Sequence, residues 1–471
     1  MKFQFRVTGL VKETSYALIV YSICIIGGIA RTYMVFLFHQ LDLPESKIVV
    51  NDEQKSWIGS SLGILSPIGC VLSGTLMDLF GRKLYLFVMF IPLVVSWIII
   101  ALASSYEMLI FGMIILGFGM GMGFCVSTYI SEISSLSHRG ALLGLLTVFY
   151  NLGPVLSNTL MYFMTWKLCA WIYALLCVSF MLSTFLLPES PVWLYSKGKK
   201  EIAIQTLCSI RCSNINDIKT EIEDMEKSNT NKSERASFTN IIKKMFGAWK
   251  PFLIVVVLQL IMQHTGYAIL ISYTMLIFDR LRLPIDSSKF SIGYAIAGVI
   301  GSVIAPYAMH RTKRKTLLAI SSSIMGLCTV VIGTYEEIFY DRDDKFFPHI
   351  VSISFYVYAV ACNAGVLLIA YSVGSEVFPN EVRGIMNGLY GVFSYFYWSV
   401  AIKFYPTLIN IFGVKIIIWS FAGFCFLVTA YSCLILPETK GMTLNEVQEK
   451  YFQKKNKPNR KTKMHNDLVL Q

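Results

Sequence analysis

Twelve apolar stretches recur along this chain, each long enough to cross the ~30 Å hydrocarbon core of a bilayer as a helix, which takes about 20 residues. They cover 14–38, 56–79, 84–104, 107–129, 140–164, 168–187, 250–277, 290–310, 315–335, 348–373, 385–410 and 414–436. Runs such as Val88–Leu102 and Pro251–Met262 carry no charge. Apolar residues do not alternate with polar ones, so a membrane β-barrel is excluded. Composition agrees: 15% of the 471 residues are charged, against roughly 25% in soluble proteins. The fold class is all-α integral membrane. Gly117, Gly119, Gly121 and Gly123 supply the small residues that let membrane helices approach closely.

Lys and Arg divide unevenly between the two sets of connections. With both termini on one side, thirty of the 41 fall on that side and nine on the other. Cytoplasmic loops carry the excess of Lys and Arg, so both termini are expected in the cytoplasm. The net charge of +12 is then mainly a record of orientation. The basic runs Arg311–Lys315 and Lys454–Lys463 suit anionic lipid headgroups. No nucleic-acid-binding motif is present, and none of the eleven cysteines lies in an outer loop to build a disulfide framework. Residues 1–13 read as a cytosolic tail, not a signal peptide. The sequon Asn231-Lys232-Ser233 falls in an inner loop, where it would stay unmodified.

The longest loop, 188–249, divides the spans into six (14–187) and six (250–436), followed by a basic tail, 437–471. Within it, Glu201–Ile210 and Ile215–Met225 have helical periodicity, and Ser228–Ser237 reads as a flexible joint. The two halves repeat each other. Glu132 precedes Arg139-Gly140 as Glu376 precedes Arg383-Gly384. Pro188-Glu189-Ser190 closes span six as Pro437-Glu438-Thr439 closes span twelve. Asp78-x-x-Gly81-Arg82-Lys83 follows span two, and His310-x-x-Lys313-Arg314-Lys315 follows span eight. Three pairs in the same order argue for duplication, and a parallel repeat around a central cavity is a transporter architecture. Asp78, Arg82, Glu132, Arg139, Glu376 and Arg383 all fall at cytoplasmic helix ends. Acids contribute little to orientation, so these charges are read as a gate whose pairs hold that face shut and break when the halves rock.

These motifs identify the chain as similar to the sugar porters of the major facilitator superfamily, from about Tyr16 to Val447. Gly74-x-x-x-Asp78-x-x-Gly81-Arg82-Lys83 resembles the superfamily's loop motif. Tyr129-x-x-Glu132 with Arg139-Gly140, Pro188-Glu189-Ser190-Pro191-x-Trp193-Leu194 and Pro437-Glu438-Thr439-Lys440-Gly441 resemble the sugar-porter signatures. Leu145-Leu146-x-x-x-x-Asn151-x-Gly153, Ser56-Trp57-Ile58-Gly59 and Lys403 look most like the insect facilitated trehalose transporters. The resemblance implies the major-facilitator fold, with 12 transmembrane helices in two six-helix halves. It also implies a plasma-membrane location, a small-molecule sugar as partner beside the membrane lipids, and no cofactor, enzyme chemistry or obligate protein partner.

Sugar hydroxyls need fixed donors and acceptors, and an amide offers both. Gln259 and Gln263 lie four apart on one helix face; each is read as a sugar contact or as an interhelical tie. The family motif Gln-Gln-x-Ser-Gly-Ile-Asn is here Met262-Gln263-His264-Thr265-Gly266-Tyr267-Ala268. By the same resemblance Thr147, Asn151, Tyr273, Tyr371 and Ser394 occupy cavity positions, several departing from the family residue. Arg31 and Lys403 lie inside spans, where a cation is costly; they either reach outward to the interface or line the cavity. Proton-coupled members place an Asp in the first helix, and Gly27-Gly28-Ile29-Ala30-Arg31 has none. The expectation is therefore facilitative transport of trehalose or a hexose. Two alternatives stand: a non-transporting sensor or scaffold, and a carrier of a different small solute, anions included.

Overall fold

Ten helices in a computed structural model of the chain are long and apolar enough to cross a membrane. The described residues are 2–123, 126–223, 225–226, 245–283, 285–338, 347–379, 382–442 and 444–451, and none of them forms a strand. The first six helices are α1 (Gly9–Leu41), α2 (Asp52–Phe80), α3 (Arg82–Leu102), α4 (Tyr106–Met122 and Val126–Ile133), α5 (Arg139–Phe163) and α6 (Trp166–Leu186). After the long loop come α7 (Trp249–Gln263), α8 (Ser287–Arg311), α9 (Arg314–Tyr335) and α10 (Phe347–Gly374). The last helical stretch, Arg383–Leu434, is interrupted at Gly413, whose φ of +80° and ψ of 161° are not helical. We call 383–412 α11 and 414–434 α12.

Local chemistry sets these starts. Asn51 and Gln54 form a reciprocal capping box at α2, which satisfies two otherwise orphaned amides. Ser105 and Asp286 cap α4 and α8 through their side-chain oxygens. Apolar side chains that a soluble protein would bury face outward: α6 exposes Leu168, Trp171, Leu175, Leu182 and Leu186, the pattern of a lipid-facing surface.

The expected single span at 250–277 is broken. α7 ends at Gln263, and the chain continues as Tyr267–Ser272 and Thr274–Arg280. Gly266 turns the chain with a φ of +92°, and a Cβ there would lie 2.4 Å from the Phe421 ring. Within the long loop, Lys200–Arg211 is helical and Ile215–Ile218 forms a 3₁₀ turn. The expected joint at 228–237, the sequon and the basic run 454–463 lie outside the described residues.

Within the first half, α1 packs on α5, α2 on α4, and α3 on both α4 and α6. Close packing needs glycine: a Cβ on Gly28 would sit 2.1 Å from the Tyr150 carbonyl oxygen, and one on Gly121 2.1 Å from that of Ser66. The second half repeats the scheme. α8 packs on α10, the Gln259 amide of α7 meets the Ser394 hydroxyl of α11, and the Ser432 hydroxyl of α12 donates to the Lys315 carbonyl of α9. Between halves, α5 runs along α8 and α2 along α11.

Candidate functional site

We call the end of the bundle where α1 begins the terminal face, and the opposite end the far face. On the terminal face, Gly81 turns the chain from α2 to α3 with a φ of +89°. That turn brings the backbone N–H of Arg82 to Glu189 Oε1 at 2.7 Å. The Arg82 side chain is buried and grips the Glu132 carboxylate with two bonds of 2.8 Å. It also reaches Asp78 at 3.0 Å and donates to the Met77 carbonyl at 3.4 Å. The Trp193 indole N–H donates to the Asp78 carbonyl at 2.9 Å.

The second half repeats this construction. Arg314 contacts Glu376 at 3.2 Å, its Nη1 donates to the Met309 carbonyl at 2.9 Å, and its backbone N–H donates to Glu438 Oε1 at 3.1 Å. Thr439 donates to the same Glu376 carboxylate. His310 stands where the first half has Asp78, so this Arg has one acid fewer. Arg314, Glu189 and Glu438 were not among the expected gate residues. The 232-residue offset that pairs Arg82 with Arg314 was the available signal.

The gate differs from expectation in two respects. Among the described residues, no ion pair joins the two halves. Arg82 spends four of its five side-chain N–H donors on acceptors of its own half. Arg139 stands outside the cluster: it forms no ion pair among the described residues, and its buried Nε has no hydrogen-bond partner. The side chain of Arg383 lies outside the described residues.

The halves meet instead toward the far face. Lys403 of α11 donates to the Ser56 hydroxyl of α2 at 2.9 Å, its ammonium 3.9 Å above the Trp57 ring. One turn away, Ser399 donates to the Ser60 carbonyl at 2.6 Å. Between α5 and α8, the Asn158 amide donates to the Ser291 hydroxyl at 3.0 Å. Phe38 stacks on Tyr273, ring centroids 5.8 Å apart. Lys403 therefore serves this seam and is directed to the far face.

Between the two faces lie the residues expected to hold a solute. Gln259 is fully buried and used at both ends: it donates to Ser394 Oγ at 2.7 Å and accepts from the Tyr390 hydroxyl at 2.7 Å. Of its two readings, this geometry is the tie. Ser394 is its partner and is buried too. Gln263 donates weakly to the Ser394 carbonyl at 3.4 Å, while its buried Oε1 has no partner. Thr147 bonds the Gly144 carbonyl of its own helix. Tyr273 donates to the Ile402 carbonyl at 3.2 Å, which together with its stacking places it in the far-face seal. Tyr371 is 45% exposed although its ring meets Tyr390 edge-on inside the second half, so it borders open space within the bundle. Asn151 lines a small cavity between the halves, whose polar side chains include Thr32, Asn158, Tyr294 and Asn363 among apolar neighbours such as Pro154 and Ile271. Arg31 is 7% exposed and lies at the meeting of the halves, its guanidinium 4.5 Å from the Tyr267 ring centroid.

A sequence profile of the family described as "Sugar (and other) transporter" matches residues 9–451. The facilitated trehalose transporter Tret1 of Aedes aegypti is 28% identical over 407 residues, 85% of this chain and 50% of that protein. That of Culex quinquefasciatus is 28% identical, covering 85% and 78%. The chain thus spans about half the length of the Aedes aegypti relative. Among solved structures, the inward open xylose transporter XylE from E. coli superposes with a TM-score of 0.77 at 18% identity, covering 93% of this chain and 99% of that one. The same transporter bound to 6-bromo-6-deoxy-D-glucose gives 0.76 at 20%, covering 94% and 100%. The fold is that of the major facilitator superfamily. With the profile match running over nearly all of its length, the chain belongs to the sugar transporter family, a family of multi-pass membrane transporters and not of enzymes.

Proposed function

We propose that this protein carries a sugar, trehalose or a hexose, across the plasma membrane by alternating access, driven by the solute gradient alone. In this reading the chain crosses the membrane twelve times: α7 with its two short continuations counts as one crossing, and Gly413 separates the last two. Both termini, and with them the terminal face, lie in the cytoplasm.

One observation carries the mechanism. Each half is braced internally at the terminal face by its own Arg–Glu–Glu cluster, whereas the hydrogen bonds between halves gather toward the far face. Two rigid bodies hinged at one face are the parts of a rocking carrier. In this arrangement the far face is shut. Opening it requires breaking the Lys403–Ser56 and Ser399–Ser60 contacts, each worth on the order of 1 kcal/mol. A barrier of that scale suits a two-state equilibrium that a solute can bias.

Gradient-driven transport is supported by the chemistry of α1. Its one described acid, Glu13, sits at the terminal end and is held by Arg211 at 2.8 Å. The central stretch carries Arg31 in place of a carboxylate that could load a proton. Uptake of radiolabelled trehalose and glucose into oocytes expressing the protein tests the reading. Saturable uptake of either sugar above that of uninjected cells is expected. Uptake no greater than in controls, with the protein at the surface, would overturn it.

A further inference from the structure

Arg31 is a buried cation with no counter-ion among the described residues. Its neighbours are aromatic: the guanidinium lies over Tyr267 at 4.5 Å and over Trp398 at 5.8 Å. Its hydrogen bond to the Tyr150 hydroxyl is long at 3.4 Å, and the Tyr371 hydroxyl faces it as well. Nε is buried with no partner at all. Among the described residues no carboxylate pairs with it, since the acids of the membrane region sit at the helix ends. Aromatic faces attract a cation, but they do not satisfy the directional N–H groups of a guanidinium, which match a carboxylate two at a time. Tyr150 and Arg31 belong to the first half, Tyr267 and Trp398 to the second. The cation therefore sits where the halves meet.

A nearby cavity, lined in part by Tyr294, which feels the charge of Arg31, adds the complementary half of a ligand. Thr32, next in sequence, lines it, and so do three amides: Asn151, Asn158 and Asn363. Asn158 commits its amide nitrogen to Ser291 twice, whereas Asn151 and Asn363 each give one N–H to a carbonyl, of Thr147 and of Ala359, and keep a second. Each also presents a carbonyl oxygen, and the one on Asn158 is buried without a partner. The site thus offers several acceptors for hydroxyl protons beside one unpaired cation.

We propose that the preferred solute is an acidic sugar, a polyhydroxylated ring or chain bearing a carboxylate, with Arg31 holding the carboxylate and Asn151, Asn158 and Asn363 accepting from its hydroxyls. This rests on the sugar-carrier reading above and narrows its substrate class. A neutral sugar uses the amides but leaves the guanidinium unmet. An aliphatic carboxylate meets the guanidinium but leaves the amide oxygens empty. Carriage of one carboxylate without a proton also moves one negative charge per cycle.

The test is uptake of D-glucuronate against D-glucose at equal, subsaturating concentration into proteoliposomes holding the purified full chain. Glucuronate is expected to enter about tenfold faster or more, as a desolvated charge pair allows, and its entry is expected to rise with an inside-positive potential while that of glucose does not. R31Q should bring the ratio to one or below by slowing glucuronate. R31K, which keeps the charge but loses the fork, should fall between, and it is the variant read if R31Q does not fold. Glucose entering as fast as glucuronate would remove the acid specificity and leave the sugar-carrier reading standing. An unchanged ratio in R31Q or R31K would also remove it. Entry of neither solute into vesicles containing folded protein would overturn both.

Discussion

Lys403 and Ser56 meet across the two halves at 2.9 Å, and the same ammonium lies 3.9 Å over the Trp57 ring. A hydrogen bond and a cation–π contact at a partly wet site together supply about 1–2 kcal/mol. Replacing Lys403 with Met keeps the stem and removes both. We expect the far face to open about tenfold more often, since 1.4 kcal/mol corresponds to one decade. Labelling of S60C by an impermeant thiol reagent should be that much faster in the K403M background. Equal rates would show that this pair does not hold the seam.

Sterics at the same seam give a second prediction. A Cβ at Gly63 would lie 2.5 Å from the Ser399 Cβ, and one at Gly59 2.9 Å from a methyl of Ile402. Gly63→Leu should force α2 and α11 apart, favour the far-open state and lower the uptake rate severalfold. Gly74→Ala, in the same helix with nothing within 4 Å, should leave uptake unchanged. Spin labels across the far face would show the distance increase in the first variant alone.

The two terminal-face clusters should differ in what they contribute. Arg82 and Glu132 expose 6% and 12% of their side chains, Arg314 and Glu376 17% and 23%. Removing one partner of a buried pair costs about 3–5 kcal/mol, and the cost falls toward ~1 kcal/mol with exposure. Thermal unfolding in detergent should therefore show E132Q markedly less stable than E376Q. Equal losses would mean that the two halves are braced alike.

Gln259 and Gln263 separate structure from solute. Gln259 is bonded at both ends in a dry site, so Q259A leaves Ser394 and Tyr390 short of a partner and should cost about 1–3 kcal/mol of stability. Gln263 has a free buried oxygen, so Q263L should leave the unfolding temperature nearly unchanged and raise the KM for sugar. The opposite pattern would exchange their roles.

Much of this fold was legible because bilayer-length apolar runs leave few alternatives, and the boundary near Gly413 was visible as a short gap between two runs. The break in α7 was not. Thr265-Gly266 is unremarkable in an apolar stretch, and only the approach of Phe421 makes the left-handed turn necessary. Charge spacing located Arg82, Asp78 and Glu132 correctly at one helix end. It did not reveal that they bond one another within one half, because donor geometry is a tertiary property. Tyr273 shows the same limit: an aromatic near the cavity reads as a sugar contact until Phe38 and the Ile402 carbonyl are seen to occupy it. Arg31 was marked by its cost inside a span, but its missing counter-ion becomes visible only when its neighbours are known.

The central claim is that two braced halves carry a sugar by exposing one site alternately, without coupling to protons. Counterflow in proteoliposomes tests it most directly: vesicles preloaded with unlabelled trehalose, or with the better-accepted sugar, are diluted into a trace of the same labelled sugar. The account predicts a transient overshoot of label inside, unchanged by a protonophore and by the external pH. Label that only equilibrates, with no overshoot, or that accumulates only under an inward proton gradient, would contradict it.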